Sequence, residues 1–118
     1  MPSYTRQLLS ASTNGRGIKV GATATPGTLL HTAVTGTSAF DEVYLWVSNS
    51  SASPVGLTIE FGGTSTPDDH VVDTCSIPAN SPPIPIVTGQ NLQNGLAVLA
   101  FASVANVLVM TGYVNRIQ

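Results

Sequence analysis

From Gly17 onward the chain repeats one pattern, short β-branched or aromatic runs cut off by clusters of Gly, Pro, Ser or Asn. Roughly eight such runs occur: Ile18 to Val20, Thr28 to Val34, Glu42 to Ser48, Val55 to Phe61, Val71 to Ile77, Ile84 to Thr88, Leu96 to Ala102 and Val107 to Arg116. That spacing argues for a sandwich or barrel, and no long stretch carries the 3.6-residue period of a helix. The reading is all-β: an antiparallel β-sandwich of about eight strands, jelly-roll-like, with an extended N-terminal arm. The breakers act through their backbones, because Gly supplies positive φ and Pro fixes its own φ while removing a donor. Asn94-Gly95 is the strongest hairpin signal, and Pro82, Pro83 and Pro85 place Ile84 and Ile86 on an edge or in an extended connection.

The 118 residues suffice for one core, so the expected division is an arm over 1–16 and a sandwich over 17–118. The arm is mostly polar and ends in the Asn14-Gly15 turn signal, yet it carries Tyr4, Leu8 and Leu9. Either it frays, as termini do, or those three residues dock on a neighbour.

Within Val55 to Phe61, Val55, Leu57, Ile59 and Phe61 alternate with Gly56, Thr58 and Glu60, the pattern of a half-buried strand. Val43 to Val47 and Leu96 to Ala102 are instead apolar on both faces, which implies cover on both sides. A two-layer sandwich has nothing of its own to cover a second apolar face. Tyr44 and Trp46 share one face of their strand and Val43, Leu45 and Val47 the other, and the sequence leaves open which set points outward. Trp46 is either core or, with Tyr44, an interface anchor.

Charged residues make up only 8% of the chain, against roughly 25% in ordinary soluble proteins. Mixed surface charge keeps free monomers apart, whereas a near-neutral surface with net charge -2 suits permanent contacts. The four cations Arg6, Arg16, Lys19 and Arg116 are too scattered for a basic stripe, so no nucleic-acid partner is expected. No apolar run is long enough to cross a bilayer, and no leader pattern opens the chain, so no membrane partner is expected either. Asn49-Ser50-Ser51 matches the glycosylation pattern by chance on this reading, and lone Cys75 forms no intramolecular disulfide.

The densest titratable group, Asp68-Asp69-His70 with Asp73, lacks the spacing of a calcium loop, and zinc would require more His or Cys nearby. It reads as a solvated loop whose carboxylates bond to nearby backbone donors. No Gly-x-Ser-x-Gly elbow occurs, and His31 lies between apolar residues of a strand, where a histidine is packed and hydrogen-bonded. Asp41 and Glu42, being adjacent on a strand, point to opposite faces and cannot act as a catalytic pair, and Glu60 has no assigned partner. The expectation is therefore no catalytic residue, no metal, no cofactor and no enzymatic activity.

Several stretches are similar to the small head decoration, or cement, proteins of tailed bacteriophages. They are Pro26-Gly27-Thr28 with His31-Thr32-Ala33, Asp41 to Leu45, Leu57 to Gly63, Asn94-Gly95-Leu96 and the closing Gly112 to Ile117. The resemblance spans about Pro26 to Ile117 and leaves the arm outside. It implies a virion protein on the capsid exterior, assembled in the host cytoplasm, with the major capsid protein as partner and a homotrimer as its form. Another virion subunit (tail-tube, head-completion or fibre-associated) and a carbohydrate-binding β-sandwich are the rival expectations. The partner-binding candidates are Tyr4, Leu8, Leu9, Tyr44 and Trp46.

Overall fold

The computed structural model describes residues 3–118; Met1 and Pro2 of the expected arm lie outside the described residues. Nine strands form: β1 (Tyr4–Leu8), β2 (Ile18–Lys19), β3 (Thr28–Thr32), β4 (Phe40–Asn49), β5 (Val55–Phe61), β6 (His70–Ile77), β7 (Ile84–Leu92), β8 (Ala97–Ala102) and β9 (Leu108–Ile117). Each of the eight β-rich runs became one strand, and β1 is the addition. Its polar sequence, YTRQL, has no alternation to announce it.

Pairing is nested. β5 pairs with β6, β4 with β7, β3 with β8 and β2 with β9, all antiparallel. The chain is thus a long ribbon doubled about the 62–69 loop and folded over into two layers. One sheet runs β1-β9-β4-β7, with β2 also on β9, and the other runs β3-β8-β5-β6. This is the strand order of a jelly roll, the two-sheet solution that the repeated short runs called for.

The Asn94-Gly95 expectation needs correction. Both residues take positive φ, 64° and 69°, as that dipeptide prefers. The strands it joins do not pair with each other, since β7 belongs to the first sheet and β8 to the second. The turn is a bridge between layers, docked through Asn94 N–H to Gly36 O and Gly95 N–H to Val34 O.

The core sits between the layers. Alternation in β4 sends Val43, Leu45 and Val47 inward with no exposed area, against Leu57, Ile59, Val98, Leu108 and Met110. At about 25 cal/mol per Å² of apolar surface removed from water, this burial is the main force closing the sandwich. β9 approaches β4 closely at Gly112, where a Cβ would run into the carbonyl oxygen of Tyr44. Asn49 is buried and its amide donates to the Ser53 and Ile77 carbonyls, which removes it as a glycan acceptor in the folded chain.

Candidate interaction surface

The β4 alternation that fills the core also settles the outward face: Tyr44 and Trp46 point away from it, half-buried on the outside of the first sheet. Tyr113 of β9 is the cross-strand neighbour of Tyr44. The two rings stack with centroids 5.1 Å apart, and Trp46 stacks on the same tyrosine at 5.9 Å. On the β1 side the Arg6 guanidinium lies 4.2 Å over the Tyr113 ring, close enough for a cation–π contact. The result is a ladder across three strands, built as cross-strand pairs build any sheet face. Tyr44, Trp46 and Tyr113 are thus stacked on one another along the outside of the first sheet.

The arm residues divide. Tyr4 is 70% exposed and Leu8 54% exposed, both at the margin of the aromatic face. Leu9 is only 2% exposed and belongs to the core, so it leaves the set of partner-binding candidates. The reason is the chain reversal after β1, where Ser12 N–H bonds to the Leu9 carbonyl and the segment folds down over β3. Apart from the undescribed first two residues, the arm is the edge of the sandwich. Its β1 pairs with β9 in unbroken register from Tyr4 opposite Ile117 to Leu8 opposite Tyr113.

Two polar clusters are buried in the fold. In the first, Asp41 accepts from Arg116 Nε at 2.8 Å and Nη2 at 3.0 Å, from Val34 N–H at 3.1 Å and from His31 Nε2 at 2.8 Å. Ser10 N–H donates to His31 Nδ1, so Nδ1 is an acceptor and Nε2 carries the proton, as the contact with Asp41 requires. His31 is thus packed and hydrogen-bonded in a strand, as its setting predicts. Burial pushes the Asp41 carboxyl up, but the hydrogen bonds from Arg116 and His31 outweigh it and hold the group below the usual carboxylate range. This cluster ties the arm, β3, β4 and β9 together.

In the second cluster Glu60 points to the outer side of the second sheet yet has no exposure. The loop before β3 covers it: Gly27 N–H donates to Oε1 at 2.7 Å and the Thr25 hydroxyl donates to Oε2. Gly27 is needed because a Cβ there would sit 2.6 Å from the backbone of Ala100. Part of the two-sided apolar character of β8 is therefore met by the chain's own loop. His70 lies on β6 rather than in a solvated loop, its ring 9% exposed and edge-on to Phe101. Its two nitrogens are each 3.8 Å from a carboxylate, Glu60 on one side and Asp73 on the other, and neither makes a hydrogen bond. Asp69 behaves as a turn carboxylate, accepting from Ser65 N–H. Among the described residues no group of three or more His, Cys, Asp or Glu side chains is placed to hold a metal ion.

Tyr113 and Arg6 were not among the partner-binding candidates. Tyr113 alternates with the apolar residues of β9, but only the register with Tyr44 reveals the stack. Comparison of the chain with protein-family models, with curated proteins and with solved structures returned no match.

Proposed function

We propose that this protein is a virion structural subunit of the capsid-decoration type, a homotrimer that binds the major capsid protein on the outside of a phage head and reinforces the shell. The observation that carries the reading is the aromatic outer face of the first sheet, with Tyr44, Trp46 and Tyr113 half-buried and Tyr4 and Leu8 exposed beside them. Aromatic residues grouped on a charge-poor surface are the composition of interface anchors. The resemblance of Pro26 to Ile117 to phage cement proteins supplies the partner, and repetition around a shell turns modest contacts into avidity.

The test is co-sedimentation of the purified protein with expanded phage heads lacking decoration, followed by electron microscopy. Leu8→Ala should reduce occupancy of the shell while the melting temperature stays near that of the parent, because Leu8 is more than half exposed. Shells without density for this domain, or full occupancy by a Leu8→Ala, Trp46→Ala double variant that remains folded, would sink the reading.

A further inference from the structure

Five strands have one free edge, and β1 and β2 share the same side of β9; β2 is only two residues long, and β3, β6 and β7 are blunted. β7 carries Pro85, turns through Gly89 at φ 99°, slips register twice against β4, and gives Thr88 N–H to the Gln90 side chain. β6 is bulged at Thr74, φ 51°, whose N–H is taken by the Thr58 hydroxyl. β3 shifts register between Leu29 and His31 and is covered by the arm, Ser10 Oγ accepting from Thr32 N–H and Ala11 N–H bonding to the Leu30 carbonyl. Proline, bulges and covering segments are how β proteins keep edges from pairing with other chains.

β1 has none of these. Its register with β9 is regular, and the reciprocal bonds between Ser3 and Gln118 fix which residues face inward along the ladder. Antiparallel pairs alternate, so Ser3, Thr5 and Gln7 bond to β9 while Tyr4, Arg6 and Leu8 direct their N–H and C=O groups to the open side. The same three residues raise their side chains on the aromatic face, an apolar group on each side of one cation.

We propose that β1 is a strand-addition site that takes an extended, antiparallel segment of a partner protein carrying an acidic residue opposite Arg6 and apolar residues two positions to either side. Main-chain bonds to Tyr4, Arg6 and Leu8 supply affinity, and the alternate side chains supply selection. Charge decides against a second copy of β1. The two-fold arrangement that uses all three residues would set Arg6 directly against Arg6, and like charges opposite each other are destabilising. The inference rests on the reading that this sheet meets a protein, and it does not depend on that protein being a capsid.

The test is a backbone amide NMR titration of the whole protein with the blocked heptapeptide Thr-Val-Thr-Glu-Thr-Val-Thr and with its Glu-to-Lys counterpart. The expected result is shifts and slowed hydrogen exchange centred on the Tyr4, Arg6 and Leu8 amides, with the lysine peptide binding about tenfold more weakly. Arg6→Pro should abolish binding with the fold intact, since that N–H is not used by β9, whereas Thr5→Pro should damage the β1–β9 pairing itself. Unshifted β1 amides at millimolar peptide, equal binding of the two peptides, or shifts at the edges of β3, β6 or β7 would overturn the proposal. So would broadening of the β1 amides with rising protein concentration alone, which would assign the edge to a second copy. Undiminished shell binding by Arg6→Pro would remove strand addition while leaving the subunit on its shell.

Discussion

Asp41 is the residue that holds the first buried cluster together, since it accepts from Arg116, His31 and the Val34 backbone with no solvent exposure. Asp41→Asn should destabilise the fold by about 3 kcal/mol, the cost of leaving a buried pair with one partner, measured by urea unfolding. The carboxyl is held below its usual range, so the unfolded chain binds the proton more readily. The stabilisation is therefore fully present above about pH 4, where an unfolded aspartate ionises, and is lost as pH falls further through the lower folded value. The Asn variant should flatten that acid limb of the stability curve; an unchanged limb would mean that Asp41 is not its source. His31 was legible alone, as a histidine set among apolar neighbours. Its partners were not: Asp41 lies on another strand, and Arg116 is separated from Asp41 by 75 positions. Only the pairing of β4 with β9 brings them together.

At the scale of elements, strand existence was readable and strand partnership was not. The period-2 alternation of Val55 to Phe61 and the breakers between runs belong to local chemistry, and they located eight of nine strands. β1 escaped because its pairing comes from β9, with no apolar stripe of its own. The face of Tyr44 and Trp46 stayed open for a related reason, both sides of that strand being apolar, and it was decided by which side Leu57 and Met110 occupy. The loop before β3 illustrates the same dependence. Gly27→Ala should displace the loop from Ala100, strip Glu60 of its Gly27 and Thr25 donors and open it to water, at a cost of about 2 kcal/mol from the steric conflict and the lost hydrogen bonds. Chemical denaturation and hydrogen exchange at Gly27 provide the measurement, and a variant of parental stability would show that the loop does not seal Glu60.

For the molecule as a whole, the scarcity of charge was the plainest message of the sequence, and the fold gives it an address. The outer side of the first sheet presents its aromatic ladder beside only a few charges, Arg6, Lys19 and Glu42. Sedimentation equilibrium at micromolar concentration should report a trimer, and a strict monomer would remove the argument from low charge and outward aromatics. The partner of this face was not legible from residues, because packing surfaces for different partners share the same chemistry.

Nested pairing also sets how the molecule bears a load. Ser3 and Gln118 are bonded face to face at the end of the β1–β9 ladder, so force applied between those two positions opens one bonded pair at a time, like a zip. Force applied along β4 and β9 in opposite senses meets a ten-pair register from Phe40–Ile117 to Asn49–Leu108, whose bonds resist together in shear. The domain should therefore peel easily from one corner and yield only at high force along its central strands, an anisotropy that single-molecule pulling through engineered attachment points can read directly.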